Sequence, residues 1–287
     1  KITINYFFHS KNFIPLLKKG MAIYCNYIII HISENKYFDN LIKFIKEYFD
    51  VKENENSVIV ITDFIFNPVS YYRNIYPSKK IIFYNWEQMV SNNTYFDIEK
   101  MIENIRGVDE LWDYDILNKK FFSFYDIKVD KVIPIKYTES IKYIKNNENP
   151  DIDILLFGFL NYVRLEKIKE IIKPLYHDYS FMIISGMDRE KQAEFISRSK
   201  IILNIHGLEP YSRQEQERIG FCLVNEKCVL SEYSQINYFG GAIIESSLSN
   251  IPFEIIDLLK DDKWRVVASS GAKMFKENKC KIFNNEI

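Results

Sequence analysis

Glycine and proline are scarce in this chain, 9 and 8 of 287 residues, which excludes collagen-like and low-complexity architectures. Cysteine is scarcer still. Its 4 copies, Cys25, Cys222, Cys228 and Cys280, stand far apart with no C-x-x-C pair, so neither a disulfide framework nor a thiolate zinc site is expected. The 4 histidines, His9, His31, His177 and His206, are too dispersed for a structural zinc. No apolar run reaches the ~18 residues of a membrane helix, and the longest, Ala22 to Ile32, is interrupted by Asn26 and His31. Neither sign of charge dominates: 38 Lys and Arg against 39 Asp and Glu leave a net charge of -1. A nucleic-acid partner usually meets a basic excess, so none is expected. No secretion signal is read, and the expected place is the cytoplasm, in solution or peripherally at the inner membrane face.

Several motifs are missing too. There is no G-x-x-x-x-G-K-[ST], no G-x-G-x-x-G, no H-E-x-x-H and no G-x-S-x-G. This removes P-loop enzymes, dinucleotide-fingerprint dehydrogenases, zinc metalloproteases and α/β-hydrolases.

What is present is ample core material, with 47% hydrophobic residues, 22 Phe and 20 Tyr. Short apolar runs alternate with helical periods, the pattern of an α/β fold with largely parallel sheets. The first half reads as strands over Ile2–Phe8, Tyr27–Ile32, Ser57–Thr62, Lys80–Tyr84, Glu110–Trp112 and Lys131–Ile135. A helical period runs from Phe38 to Phe49, and another helix runs from an Asp97 cap to Gly107. The polar stretch Lys145–Pro150 reads as a linker. After it come strands over Ile152–Phe157, Tyr179–Ile184, Lys200–Ile205 and Lys227–Ser231. Helices are expected over Tyr162–Ile172, Asp188–Ser197, Ser212–Asn225 and the amphipathic Phe253–Phe275. The expected organisation is two Rossmann-like domains facing a central cleft, 1–145 and 151–262. A C-terminal helix and tail, 263–287, would cross back to the first domain.

In open α/β sheets ligands bind at the C-terminal ends of the strands. Those positions hold His9 and Ser10, Asp63, Asn85, Glu87 and Gln88, Gly158, Gly186, His206 and Glu232. Gly158 would let a phosphate approach the backbone, beside a helix N-terminus near Asn161. Arg164 lies in that helix's first turn. The Ser212–Asn225 helix opens with Arg213, Glu215, Glu217 and Arg218 and then becomes apolar, so only its first turns face solvent. A carboxylate there suits a ribose diol, and Glu217 is the preferred candidate. Asp113-Tyr-Asp115 follows a strand, where the pair would either cap a helix or hold a divalent metal.

The segment Arg213-Gln-Glu-Gln-Glu-Arg-Ile-Gly-Phe-Cys-Leu-Val-Asn-Glu-Lys-Cys-Val-Leu-Ser-Glu232 resembles the donor-binding helix and strand of GT-B glycosyltransferases, in particular the bacterial and viral CgeB-like (family 1/4-type) group. Four blocks agree in order: Tyr84-Asn-Trp-Glu-Gln-Met89, Asp109-Glu-Leu-Trp-Asp-Tyr114, Leu156-Phe-Gly-Phe-Leu-Asn161 with Arg164, and Ser199-Lys-Ile-Ile-Leu-Asn-Ile-His206. The resemblance implies a nucleotide-sugar donor, UDP- or GDP-linked, in the C-terminal domain, with a glycan or other hydroxyl acceptor on the N-terminal one. It implies no cofactor and no metal. Donor-binding residues would be Gly158, Asn161, Arg164, His206, Glu209, Arg213 and Glu217. Aligned on the strand, the glutamates seven residues apart that mark retaining enzymes fall on Arg213 and Phe221, which does not support retention. An acceptor base is expected on the first domain, with Asp63 preferred and His9 and Glu87 following. Two other readings stand beside this one. One is a metal-dependent GT-A-type transferase using Asp113 and Asp115. The other is a non-catalytic two-domain nucleotide-sugar or ligand-binding protein.

Overall fold

A computed structural model describes residues 2–6, 19–24, 27–32, 40, 43–44, 47, 57–60, 67–90, 97–187, 189–207 and 213–277. It falls into two compact units, residues 14–135 and residues 1–13 with 136–287.

The first unit carries a sheet in the order β2-β3-β4-β5-β6-β7. Its strands are β2 (Lys19–Tyr24), β3 (Tyr27–Ile32), β4 (Ser57–Val60), β5 (Lys80–Asn85), β6 (Glu110–Asp113) and β7 (Lys131–Val132). Only the β2–β3 pair is antiparallel. β5 reads Ile-Ile-Phe-Tyr without alternation, and both of its faces are buried, as a parallel strand covered on two sides requires. Around it lie α1 (Val69–Ile75), α2 (Ile98–Ile105) and α3 (Asn118–Ser123). Asp97 caps α2 by accepting from Lys100 N, and Gly107 beyond its end takes a φ of +88°. Both follow from the sequence.

The second unit carries an all-parallel sheet in the order β1-β9-β8-β10-β11-β12. Its strands are β1 (Ile2–Tyr6), β8 (Ile152–Phe157), β9 (Phe181–Ser185), β10 (Ser199–Asn204), β11 (Cys228–Glu232) and β12 (Ile244–Ser246). Its helices are α4 (Tyr162–Ile172), α5 (Arg189–Ser197), α6 (Gln216–Val224), α7 (Ile251–Leu259) and α8 (Lys263–Glu277).

Three features differ from the sequence reading. β1 pairs with β9, Ile2 opposite Phe181, and so belongs to the second sheet rather than the first domain. The units part at Ile135, ahead of the stretch read as a linker, because that stretch is tied to the second unit. Asn225 accepts from Tyr143 N and Ile144 N and donates to Ile141 O, Asn146 donates to Asn225 O, and Asn147 N donates to Ser197 O. The C-terminal amphipathic run breaks at Lys260–Asp262, where Asp261 and Asp262 have φ of +52° and +55°, so it is two helices. The second of these, α8, packs on α6, β11 and the turn Gly240–Ala242 of its own unit. The helical period from Phe38 to Phe49 lies largely outside the described residues.

Gly271 lets α8 approach that closely. A β-carbon there would meet the Ala242 carbonyl oxygen, a backbone atom that cannot step aside. Gly271→Ala gains up to ~1 kcal/mol of helix propensity and meets an overpacking cost of about 1–3 kcal/mol. The expected net result is a loss of about 1–2 kcal/mol in a denaturant titration. A more stable variant would contradict the contact.

Lys227 gives a pH-dependent prediction. Its ammonium is buried and donates to the carbonyls of Ser197 and Ser199. Desolvation lowers its pKa from 10.5 to about 8. The unfolded chain therefore holds more protons than the folded one between those values, and this contribution to stability rises with pH. Going from about pH 7.5 to 9.5, wild type is expected to gain about 2 kcal/mol relative to Lys227→Met. Parallel pH profiles for the two proteins would refute this.

Candidate functional site

The C-terminal rim of the second sheet brings together the sequence-predicted donor residues that are described. β8 ends at Gly158, whose φ of +125° is open essentially to glycine alone. The chain then turns into α4, where Asn161 accepts from Arg164 N at 2.9 Å as the N-cap. Asn161 also donates to Gly207 O, joining the turn after β8 to the turn after β10.

Arg164 does not project into solvent. It is 4% exposed, and its guanidinium donates to Ile205 O, Phe159 O and, at 3.0 Å, Glu215 Oε1. It braces the two turns and orients Glu215, which leads into α6. Burial raises the Glu215 pKa. The charges of Arg218, then Arg164, outweigh that and hold the carboxyl below the ordinary glutamate value.

Glu217 is also better buried than its charge pattern suggests. Its side chain is 11% exposed, and its Oε1 accepts from Arg189 of α5 at 2.6 Å. The helix begins at Gln216, so Arg213, Gln214 and Glu215 precede it as extended chain. Arg213 is buried. Gln214 ties down the loop after β11, donating to Asn237 Oδ1 and Glu245 Oε1 and accepting from Tyr238 N. His206, 2% exposed, donates its backbone N–H to Glu232 Oε2, and Glu232 Oε1 takes Lys167 Nζ at 2.9 Å. Glu209 lies outside the described residues.

One residue of this rim was read from the sequence as part of a solvated face. Arg218, on the first turn of α6, is 7% exposed. Its guanidinium lies against the α-carbon of Gly158, where an added β-carbon would overlap it. It donates once, to Asn204 Oδ1 at 3.1 Å, and lies 5.6 Å from the centre of the Phe157 ring. Among the described residues no carboxylate forms an ion pair with it. The only signal in the sequence is indirect: a glycine ends β8, and an arginine opens a helix that must dive into the core. The sequence also holds a pair that alignment on the strand passes over, since seven residues separate Glu209 from Glu217.

In the first unit, Asp113 is fully buried at the end of β6 and accepts from Asn85 Nδ2, Asn118 Nδ2 and Asp115 N. Desolvation first, with the Asp115 charge adding to it, pushes its pKa well up against these hydrogen bonds. Asp115 accepts from Leu117 N at the entry to α3. The Asp-x-Asp triplet thus caps a turn after a strand, and no metal-binding group of His, Cys, Asp and Glu occurs among the described residues. Glu87 is exposed, and its carbonyl is held by Asn85 and Asn118. Asp63 and His9 lie outside the described residues. Cys222 and Cys228 are free, and burial pushes both thiols up to about 12, which makes them inert. No described helix is long and apolar enough to cross a membrane.

No protein-family model matches the chain, and no curated protein matches it in sequence. Solved structures do match. An α-glucosyltransferase in complex with UDP and a DNA containing an HMU base is similar at 11% identity and a TM-score of 0.52, over 78% of this chain and 78% of that one. The N-terminal domain of Candida albicans trehalose-6-phosphate phosphatase is similar at 10% identity and 0.48, over 83% and 71%. Staphylococcus aureus TarM, in complex with UDP and α-GlcNAc-glycerol, is similar at 13% and 0.47, over 82% of this chain and 54% of that one. The first of these likenesses establishes the fold: the chain is built of two Rossmann-like α/β units of the GT-B type.

Proposed function

We propose that the chain is a glycosyltransferase that moves a sugar from a nucleotide-diphosphate donor to a hydroxyl of a glycan or another acceptor. Arg218 carries the reading. A guanidinium buried to 7% exposure, with one hydrogen bond and, among the described residues, no ion pair but only the longer-range charge of Glu215, is costly unless an anion completes it. It fills the space over Gly158, whose φ of +125° and missing β-carbon let the guanidinium lie against the main chain at the end of β8. The N-terminus of α4 adds oriented N–H groups beside it. A departing diphosphate develops negative charge as the glycosidic bond breaks, and a fixed cation aimed at it lowers that barrier.

In this reading Gly158, Asn161 and Arg218 hold the diphosphate. Arg164 and Arg213 act from behind, and Arg164 sets the direction of Glu215. Glu217, fixed by Arg189, offers its carboxylate to the ribose. The spacing of Glu209 and Glu217 fits a retaining enzyme, which needs no protein base. In an inverting one the base would come from Asp63, His9 or Glu87. We propose that transfer needs no divalent metal, since the Asp113 and Asp115 oxygens are engaged by N–H donors. The net charge of -1 gives no general attraction for a nucleic-acid acceptor.

The test is a thermal-shift panel of UDP-, GDP- and CMP-sugars, followed by assay of nucleotide release in EDTA. Stabilisation by one nucleotide class and release of its diphosphate are expected. Stabilisation without any release would favour a binding module. Complete, magnesium-reversible loss of transfer would favour the metal-dependent reading.

A further inference from the structure

The imidazole of His206 is 2% exposed and held along one edge. Its Nε2 lies 3.1 Å from the carbonyl oxygen of Glu232, 3.1 Å from that of Tyr233 and 3.3 Å from Ser234 Oγ. A carbonyl oxygen only accepts, so Nε2 carries the ring proton. In the neutral ring this leaves Nδ1 as a lone pair. Nδ1 is buried and has no hydrogen-bond partner among the described residues.

The Nε2 contacts to the carbonyls of Glu232 and Tyr233 hold the ring in this orientation. Its backbone N–H is anchored on Glu232 Oε2, and Glu232 is itself fixed by Lys167. The residue stands just beyond the end of β10, next to Gly207, whose α-carbon faces the Arg164 guanidinium and the Asn161 amide. Arg218 reaches the same rim through Asn204, the last residue of β10. A buried acceptor with no partner among the described residues, at the ligand-binding edge of a sheet, is a group that a ligand can complete.

We infer that His206 Nδ1 accepts a hydrogen bond from a hydroxyl of the bound donor, an inference that rests on the nucleotide-sugar reading above. A phosphate oxygen cannot serve this nitrogen, because both atoms would be acceptors. The partner must bring an O–H, and a nucleotide sugar has such groups on its glycosyl ring and its ribose. His206 is thus a specificity residue that reads hydroxyl position and takes no part in binding the diphosphate charge.

His206→Gln separates the two edges of the ring, because its amide can still donate to the two carbonyls while the Nδ1 acceptor is lost. The probes are UDP, UDP-glucose, GDP and GDP-mannose, titrated calorimetrically against the full chain. For the nucleotide that wild type binds, H206Q is expected to weaken the sugar conjugate about 10-fold. An unchanged diphosphate affinity assigns the glycosyl hydroxyl, and an equal loss on both at unchanged melting temperature assigns the ribose. Unchanged affinity for both ligands overturns the inference alone. No binding of any of the four probes by wild type overturns the nucleotide-sugar reading and the inference with it.

A second measurement needs no variant. In histidine-¹⁵N-labelled protein, the His206 Nδ1 resonance should be that of a lone-pair nitrogen and move toward the N–H range on saturation with the bound conjugate. An Nδ1 that already carries a proton in the free protein, or one that does not move, overturns the inference.

Discussion

Replacing Arg218 by methionine is expected to weaken binding of the nucleoside diphosphate about 100-fold, with no loss of fold stability. The two effects have one cause. Methionine keeps the length and much of the packing of the stem but removes the cation. Charge-assisted hydrogen bonds are worth about 1.5–3 kcal/mol each and do not add fully, so about 3 kcal/mol, or two decades in Kd, is the expected loss. On the stability side, the guanidinium is buried without an ion-paired carboxylate among the described residues, and its one direct hydrogen bond is to Asn204 Oδ1. Removing a desolvated charge offsets the loss of that single bond and of the attraction for Glu215, whose carboxylate Arg164 continues to hold at 3.0 Å. A ligand-binding cation should therefore be neutral or costly to the free fold, whereas a structural one should hold it together. Calorimetry and a denaturant melt on the same variant decide the matter. Full affinity, or a collapse in stability, would return Arg218 to the scaffold.

Glu217→Gln is expected to behave in the opposite way and to destabilise the chain by about 3 kcal/mol. The side chains of Glu217 and Arg189 are 11% and 8% exposed and pair at 2.6 Å. Neutralising Glu217 withdraws the carboxylate charge that faces the buried Arg189 guanidinium, and breaking a fully buried pair costs about 3–5 kcal/mol. The slight exposure here argues for the lower end. In thermal terms this is on the order of 10 °C. An exposed helix carboxylate, which the sequence suggests, would cost only tenths of a kcal/mol. Replacing both partners by apolar residues, Arg189→Met with Glu217→Leu, should recover most of the loss. A single variant as stable as wild type would show that the pair contributes little. Because stability moves, the ribose role proposed for Glu217 must be read as affinity at a temperature where the variant is folded.

These two residues mark where the sequence stops being legible. Strands such as β8 and β10 and the helix α4 follow from periodicity and caps: Asn161 is a local signal and stops a strand-to-helix turn where it is written. Glu217 and Arg218 are adjacent in a run of alternating charge, and nothing local distinguishes them. Their different fates come from α5, which brings Arg189 to one of them, and from the turn after β8, which places Gly158 beneath the other. Those are tertiary facts. The same holds for β1, whose parallel partner β9 lies well over half the chain away, Ile2 opposite Phe181, and leaves no trace in its neighbourhood. β2 and β12 carry no strand signal of their own, because one runs into the apolar stretch that continues through β3 and the other is three residues long. The break between α7 and α8 is hidden in the sequence because an amphipathic pattern continues across it, while the reversal depends on two aspartates in a left-handed backbone. The Asp113 triplet was legible as a pair but not as a choice. The turn it closes depends on Asn85 and Asn118, from a neighbouring strand and a following helix.

The most direct test of the proposed activity is a mass-spectrometric assay of the full chain with UDP-, GDP- and CMP-sugars in EDTA, run with and without Arg218→Met. Release of the nucleoside diphosphate of one class by wild type, reduced about 100-fold in the variant at subsaturating donor, is the predicted result. The same release rate from both proteins, or no release and no binding of any of the donors by wild type, would contradict it.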